Sequence, residues 1–470
     1  MPIPHTPYPI PQATKSALSI LISMDVLFLS RLQFAITTVY HFLFVPLTIG
    51  LVLFIAIWET TAYRNGNSED ERLAKFWGRL FLLCFAVGTV TGIVQEFQFG
   101  MNWSEYSHFV GDVFGVPLAI EALLAFFLES TFLGLWIFGR NILPKGIHLA
   151  CIWIVFAASS LSAVWILMAN SFMQHPVGYA FVNGRAELTN LWELAVNPYF
   201  LHQLPHVLGA SLCTAAFFVL GISAWKIRQC SGDSYLFEKS FKLALFMGLA
   251  GIITVSLTGH FQARAIANLQ PMKLAAMENL EDTKNPAPLS IVPGIEIPAM
   301  LSIMIYLKPS GEVKGLADLQ KDMENRFGPG DYKPPVWIAY ASLRIMVACL
   351  LIMASFILYG IIWHLFLGKS MHKIMLLLMT FGILLPNLAN ITGWLLAETG
   401  RQPWIIYGVM PTDKALSAGV SSGQVIFSLL AFSIIYGILG GISIYLMWRE
   451  VLSGCANKKI TRRTAAITIN

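Results

Sequence analysis

Charged side chains are scarce in this chain of 470 residues: Asp, Glu, Lys and Arg make up 12% of it, against roughly a quarter in soluble domains. That scarcity, with 56% hydrophobic residues and a mean hydropathy of +0.65, excludes an ordinary soluble domain and indicates a polytopic membrane protein. Cysteine supplies no framework. The six cysteines (Cys84, Cys151, Cys213, Cys230, Cys349 and Cys455) lie far apart, form no C-x-x-C and mostly fall inside apolar runs, so neither a disulfide scaffold nor a thiolate metal site is expected. Internal repeats and low-complexity tracts are missing as well. The net charge of +5 does not point to nucleic acid, because the basic residues are dispersed between apolar runs rather than gathered on one face. Residues 1–23 hold five prolines and lack the basic n-region and cleavage site of a secretory signal. They read as an extension ahead of the first span.

What the chain has in plenty is apolar runs of the length needed to cross a bilayer, about 20 residues. They fall near 33–59, 76–99, 116–139, 147–171, 203–225, 241–261, 337–366, 373–398 and 422–448, which predicts an all-α integral membrane protein of about nine transmembrane helices in helical bundles. The expected division is an N-terminal extension over 1–32, helices one to six over 33–261, a long loop over 262–336, helices seven to nine over 337–448 and a tail over 449–470. A polar connection as long as 262–336 usually has a job. Lys and Arg accumulate on the cytoplasmic side of short loops. Arg64, Arg72 and Lys75, then Lys226, Arg228, Lys239 and Lys242, then the tail residues Lys458, Lys459, Arg462 and Arg463 mark that side, whereas 100–115 has neither and 172–202 has only Arg185. The N-terminus and the long loop are therefore expected outside and the C-terminus inside, with His41, Glu96, Glu121, His206, Arg344, Met346 and Glu398 in the outer half of the membrane.

These polar residues need a reason to be there. An ionisable group at membrane depth costs roughly 2.5–3.5 kcal/mol on insertion scales, so Glu398, four residues after Trp394 and thus on the same helix face, suggests a site. An interfacial pair with Arg401 is the plainer reading. His41 stands alone in the first span, and a lone histidine on an apolar face is more often a hydrogen-bonded core residue. His202 and His206 are spaced to share a face, as a metal pair requires. Met346, one of 18 methionines, is by itself packing, but His206 and Met346 on one iron would form a His/Met electron-transfer centre, with Arg344 available to a haem propionate. Glu121 and Glu129 are eight residues apart, roughly 80° apart in direction on a regular helix, and two acids in one span suit a proton relay. Lys273 and Glu278 stand just beyond the sixth span, where a charged pair is ordinarily only solvated.

In order along the chain, Ser-Arg-Leu-Gln-Phe (30–34), Tyr-His-Phe-Leu-Phe-Val-Pro-Leu-Thr (40–48), Glu-Phe-Gln-Phe-Gly (96–100), Pro-Leu-Ala-Ile-Glu (117–121), Phe-Phe-Leu-Glu-Ser (126–130), Arg-Ile-Met-Val-Ala-Cys (344–349) and Gly-Arg-Gln-Pro-Trp (400–404) resemble the large subunit, subunit I, of the cytochrome bd family of quinol oxidases. The resemblance runs from about Met24 to the ninth span. It implies two haem b groups, one low-spin and one high-spin, and one haem d, with the alternative that haem b replaces haem d. His206 and Met346 match the axial ligands of the low-spin haem and Arg344 the arginine beside it. His41 and Glu398 match ligands of the two high-spin haems, and which of them serves haem d stays open. Glu96, Glu121, Glu129 and Ser162 match residues by that dihaem site and its proton supply, Trp394 and Arg401 its surroundings, and Lys273 and Glu278 the loop residues of quinol oxidation.

The function implied is oxidation of membrane quinol coupled to reduction of O₂ to water in a bacterial cytoplasmic membrane, electrogenic without pumping. A second membrane subunit, subunit II, and a small single-span subunit are the implied partners. A haem-b-only oxidase of the same family and an electron-transfer cytochrome without oxygen chemistry are the alternatives. A bis-histidine electron carrier would need paired histidines at matching depth, which His148, His260, His364 and His372 do not supply. A secondary transporter would show broken midplane helices in repeated halves.

Overall fold

The structure, a computed structural model, describes residues 25–229, 232–367 and 371–454. The extension before Asp25, Cys230, Cys455 and the basic residues of the tail lie outside the described residues. Among the described residues, nine helices are long and apolar enough to cross a membrane: Val26–Asn65, Ser68–Met101, Ser104–Phe138, Lys145–Gln174, Pro198–Arg228, Ser234–Leu269, Val336–Phe366, Lys373–Thr399 and Ser422–Ser453. They match the expected spans one for one. Most run past the apolar stretch, because flanking polar residues continue the helix that hydropathy alone does not register. The third is the largest departure. It begins at Ser104 rather than near 116, so Glu121 stands at mid-span and not at its start.

Among the described residues three spans are interrupted beside a proline, and the seventh ends in a π-helical turn over Trp363–Leu367. Pro46 has no N–H to offer the Phe42 carbonyl, so the first span divides into Val26–Phe42 and Val45–Asn65 one residue past His41. Pro386 has the same effect on the eighth, which divides into Lys373–Phe381 and Leu384–Thr399. In the third, Pro117 precedes a π-helical turn over Glu121–Phe126, a distortion that recurs at functional sites.

The fifth span is the hub. It lies against the first, fourth, sixth and eighth, and its apolar stretch is the most buried of the nine. Small residues permit the close approach: a Cβ on Gly50 would stand 2.3 Å from the Ser211 carbonyl oxygen, and one on Gly251 would stand 2.7 Å from Cys213 Sγ. Fifth packs on sixth, sixth on seventh, seventh on eighth, and eighth back on fifth, which makes a four-helix unit.

Residues 270–335 are not a structureless connection. They fold as a cap of three short helices, Pro271–Glu278, Met300–Tyr306 and Leu316–Phe327, and a hairpin pairing Leu289–Val292 with Ile295–Ile297. Met272, Leu274, Met277, Leu280, Leu301, Leu316 and Leu319 form a buried apolar core together with Tyr199, Ile266, Ala339 and Leu396 of the spans beneath. The segment can therefore hold side chains in place.

Candidate functional site

His41, His206 and Met346 come from three helices, yet each meets a neighbouring helix in the same way. His41 Nδ1 is 2.8 Å from Thr91 Oγ1 on the second span, and a Cβ on the next residue, Gly92, would stand 3.2 Å from the His41 Cε1. His206 Nδ1 is 3.0 Å from Thr258 Oγ1 on the sixth span, and a Cβ on Gly259 would stand 3.3 Å from its Cε1. Met346 Sδ would be 3.1 Å from a Cβ on Gly393 of the eighth span. Glycine thus clears the space beside all three. His206 and Met346 belong to the same four-helix unit, while His41 is on the first span, where Trp394 of the eighth packs against Phe34 and Phe42 at ring-centroid distances of 6.4 and 6.2 Å. His202, expected on the same face as His206, stacks on Phe261. Among the described residues no three His, Cys, Asp or Glu converge as a bare metal ion requires.

Glu398 ends the eighth helix with both carboxylate oxygens engaged. Arg401 Nη2 donates to Oε2 at 2.5 Å, and Asn170 Nδ2 of the fourth span donates to Oε1 at 3.2 Å. Asn170 accepts in turn from Gln203 Nε2 at 2.8 Å. Arg401 is almost fully buried. Burying a guanidinium and a carboxylate is tolerable only with this pairing, since breaking such a pair costs about 3–5 kcal/mol.

Lys273 and Glu278, just beyond the sixth span where a charged pair is ordinarily solvated, are both buried and do not pair with each other. The apolar core shared by cap and spans turns the helix Pro271–Glu278 inward. Lys273 Nζ donates to Gln174 Oε1 at 2.7 Å and lies over the Tyr199 ring at 5.7 Å, while its stem runs beside Gly400, where a Cβ would stand 2.8 Å from Cγ. Burial, with the Arg401 charge nearby, holds the Lys273 ammonium well below its ordinary pKa. Glu278 Oε2 accepts from Arg344 Nη2 at 2.7 Å. Burial raises the Glu278 carboxyl above the usual carboxylate range, against the opposing pull of Arg344. Arg344 also donates to the Met277 carbonyl and, at 2.5 Å, to the Ser290 carbonyl. Its fork clamps cap to seventh span.

The two acids of the third span face the fourth. Glu121 accepts from Ser162 Oγ at 2.6 Å, and Glu129 accepts from Ser159 Oγ. On a regular helix they would diverge, but the π-turn between them widens the helix and aims both at one neighbour. Glu96 is exposed on the second span beside exposed Ile93 and Phe97.

The chain that carries these half-buried imidazoles, methionine and acids is similar to known proteins. Residues 29–455 match the family described as cytochrome bd terminal oxidase subunit I. The chain belongs to that family. It is 47% identical over 448 residues to the cytochrome bd ubiquinol oxidase subunit 1 of Bacillus subtilis, covering 92% of this chain and 94% of that one. It is 36% identical over 500 residues to the cytochrome bd-II ubiquinol oxidase subunit 1 of Escherichia coli, covering 92% and 97%. The bd oxidase structure from Geobacillus thermodenitrificans superposes with a TM-score of 0.81 at 28% identity, covering 91% of this chain and 99% of that one. As a member of the cytochrome bd subunit I family this chain is a haem-bearing, multi-pass membrane subunit of a terminal oxidase, a quinol:O₂ oxidoreductase.

The side chains present suit haem. A glycine lets His41, His206 and Met346 lie close against a neighbouring helix, and with Nδ1 engaged each imidazole has Nε2 left to ligate. Sequence reasoning missed Thr91, Thr258, Asn170, Gln174 and Ser159. Asn170 and Gln174 did carry a signal, a pair of amides four apart at the end of an apolar run.

Proposed function

We propose that this subunit oxidises membrane quinol under its 270–335 cap and reduces O₂ to water at haem held by His41 and Glu398, with His206 and Met346 holding a low-spin haem b between the two. The observation that carries this reading is that His41 and His206, on different spans, each pack Cε1 against a glycine while Nδ1 meets a threonine hydroxyl, which leaves Nε2 as the free ring nitrogen. Haem held by these residues would supply one-electron transfer and the site at which O₂ is reduced.

The chain's own residues handle quinol and protons. Lys273, its ammonium depressed by burial, and Glu278, its carboxyl raised, stand at the inner wall of the cap. Glu278 accepts a quinol hydroxyl proton, a task suited to a base tuned toward neutral pH, and Arg344 orients it. Lys273, held by Gln174, hydrogen-bonds the second quinone oxygen. Glu129 and Glu121, each oriented by a serine, pass protons along the third span toward the oxygen site, with Trp394 and Arg401 completing its wall. Two quinols deliver four electrons and four protons, and one O₂ takes up four of each to give two water molecules. Release on the cap side and uptake from the opposite side separate charge without a pump.

The positive-inside pattern supports an outward cap and N-terminus and an inward C-terminus in the bacterial cytoplasmic membrane. The exposed Glu96, costly against lipid, supports a subunit II covering the second and third spans, and a small single-span subunit completes the assembly. The high-spin pair is proposed as one haem b and one haem d. A reduced-minus-oxidised spectrum of the purified complex, with quinol-driven O₂ consumption, tests the reading. A red-shifted chlorin band establishes haem d, its lack in a haem-loaded complex assigns haem b alone, and a colourless complex ends the proposal.

A further inference from the structure

The chain contains four Thr-Gly dipeptides, at 91–92, 258–259, 392–393 and 399–400. Each glycine borders one side chain of the proposed site: Gly92 meets His41, Gly259 meets His206, Gly393 meets Met346 and Gly400 meets Lys273. In the two cases where the side chain is an imidazole, the preceding threonine touches its Nδ1. We propose that Thr91 and Thr258 are positioning residues that lock His41 and His206 in the Nδ1–H tautomer, so that Nε2 is the ligating nitrogen and the hydroxyl contact tunes its donor strength. This rests on the assignment of both histidines as haem ligands.

The direction of each hydrogen bond follows from where the single hydroxyl proton must be. Thr258 Oγ1 is 2.6 Å from the Thr254 carbonyl oxygen, and Thr91 Oγ1 is 3.0 Å from the Val87 and 2.9 Å from the Gly88 carbonyl oxygens. Two oxygens at such separations repel unless a proton lies between them. Each hydroxyl therefore donates to its own helix and offers a lone pair to the imidazole, which forces the ring proton onto Nδ1. A side chain at either glycine would press on Cε1, so its absence leaves the ring plane to be set by the hydrogen bond. Partners of this kind orient metal-bound imidazoles and raise their basicity. A more basic imidazole favours the oxidised iron, so removing the acceptor raises the reduction potential.

The test uses the purified complex. Thr258→Val removes the acceptor at constant shape, Thr258→Ser restores it, and Thr254→Val, one turn earlier and bonded only to the Ala250 carbonyl, controls for helix packing. We expect Thr258→Val to shift the reduction equilibrium of the low-spin haem by up to about tenfold toward the reduced form, ~59 mV for one electron. Thr258→Ser and Thr254→Val should keep the wild-type potential. Thr91→Val should lower the iron–histidine stretching frequency of the His41 haem in resonance Raman spectra, and Thr91→Ser should restore it. Valine variants with wild-type potential and stretching frequency overturn the proposal, while the ligand assignment survives provided His206→Ala and His41→Ala each lose one haem band. Retention of both bands in those alanine variants removes the assignment and the proposal together. Should a valine variant fail to assemble, ¹⁵N-labelled histidine in the wild-type protein reads the tautomer directly. Protonated Nδ1 with a ligating Nε2 sustains the proposal, and protonated Nε2 overturns it.

Discussion

Lys273 Nζ donates to Gln174 Oε1 at 2.7 Å, tying the cap helix to the last turn of the fourth span. Gln174 is itself held, accepting from Gln270 Nε2 at its backbone oxygen and at Oε1 and donating to the Ala397 carbonyl, one residue before Glu398. One amide thus connects the proposed quinol lysine to the helix end that carries a proposed haem ligand.

Replacing Gln174 by Leu should strand a buried amine without its acceptor, at about 1–3 kcal/mol. If that misplacement is felt at the quinol site, kcat/KM for quinol falls roughly tenfold, since about 1.4 kcal/mol is one decade. Haem content and spectrum stay at wild-type values. Quinol-driven O₂ uptake compared with uptake driven by an artificial reductant separates the two effects, and equal losses in both assays would count against a quinol-specific role.

The proposed role of Glu278 as acceptor of the quinol proton makes the reaction sensitive to acid. Its folded pKa is raised by burial, so on lowering pH it takes up a proton earlier than an exposed carboxylate and can no longer accept one from quinol. Quinol oxidation should therefore rise with pH through that raised value in the wild type, and Glu278→Gln should be slow with a flat profile. The pH–rate curve of kcat/KM is the measurement. A Gln variant that keeps the wild-type acid limb assigns the titration to another group.

Met346→Leu should remove the six-coordinate low-spin spectrum while CO binding at the other haems persists, because Leu fills the space beside Gly393 but offers iron no lone pair. His206→Ala should lose that haem outright. An unaltered low-spin band in Met346→Leu would remove Met346 from the ligand set.

Glu129→Gln keeps the shape and the contact with Ser159 but cannot exchange a proton. We expect turnover to fall at least 10²-fold, within the range general acid–base groups contribute, with quinol still able to reduce the haems in a single-turnover experiment. Ser162→Ala, which only orients Glu121, should cost about tenfold or less. Rapid-mixing spectra of haem reduction and reoxidation distinguish a block in proton supply from one in electron entry.

The spans were legible in the sequence because crossing a bilayer takes some 20 apolar residues in succession, and such runs are visible without knowing what packs on them. The candidate ligands were legible in part: a histidine or an acid at membrane depth is costly enough to stand out, whereas Met346, an apolar side chain, was singled out only by the resemblance. The interruptions at Pro46 and Pro386 follow from a missing N–H, yet no broken helix was expected from the sequence. The cap's helices and hairpin were not legible, since short elements with mixed composition carry little periodic signal. Nor were the partners of the charged residues.

By itself, the sequence determined nine apolar helices, their order, and the chemistry-bearing residues they carry, because these depend on local composition and helix periodicity. Only the tertiary structure decided that Lys273 meets Gln174, that Glu278 meets Arg344, that a π-turn turns Glu121 and Glu129 toward serines of one helix, and that Thr91 and Thr258 hold the histidines. Those contacts join residues from 30 to 99 positions apart. Which donor meets which acceptor over such separations is set by how helices pack and by the small residues that let them approach, and no local pattern encodes that.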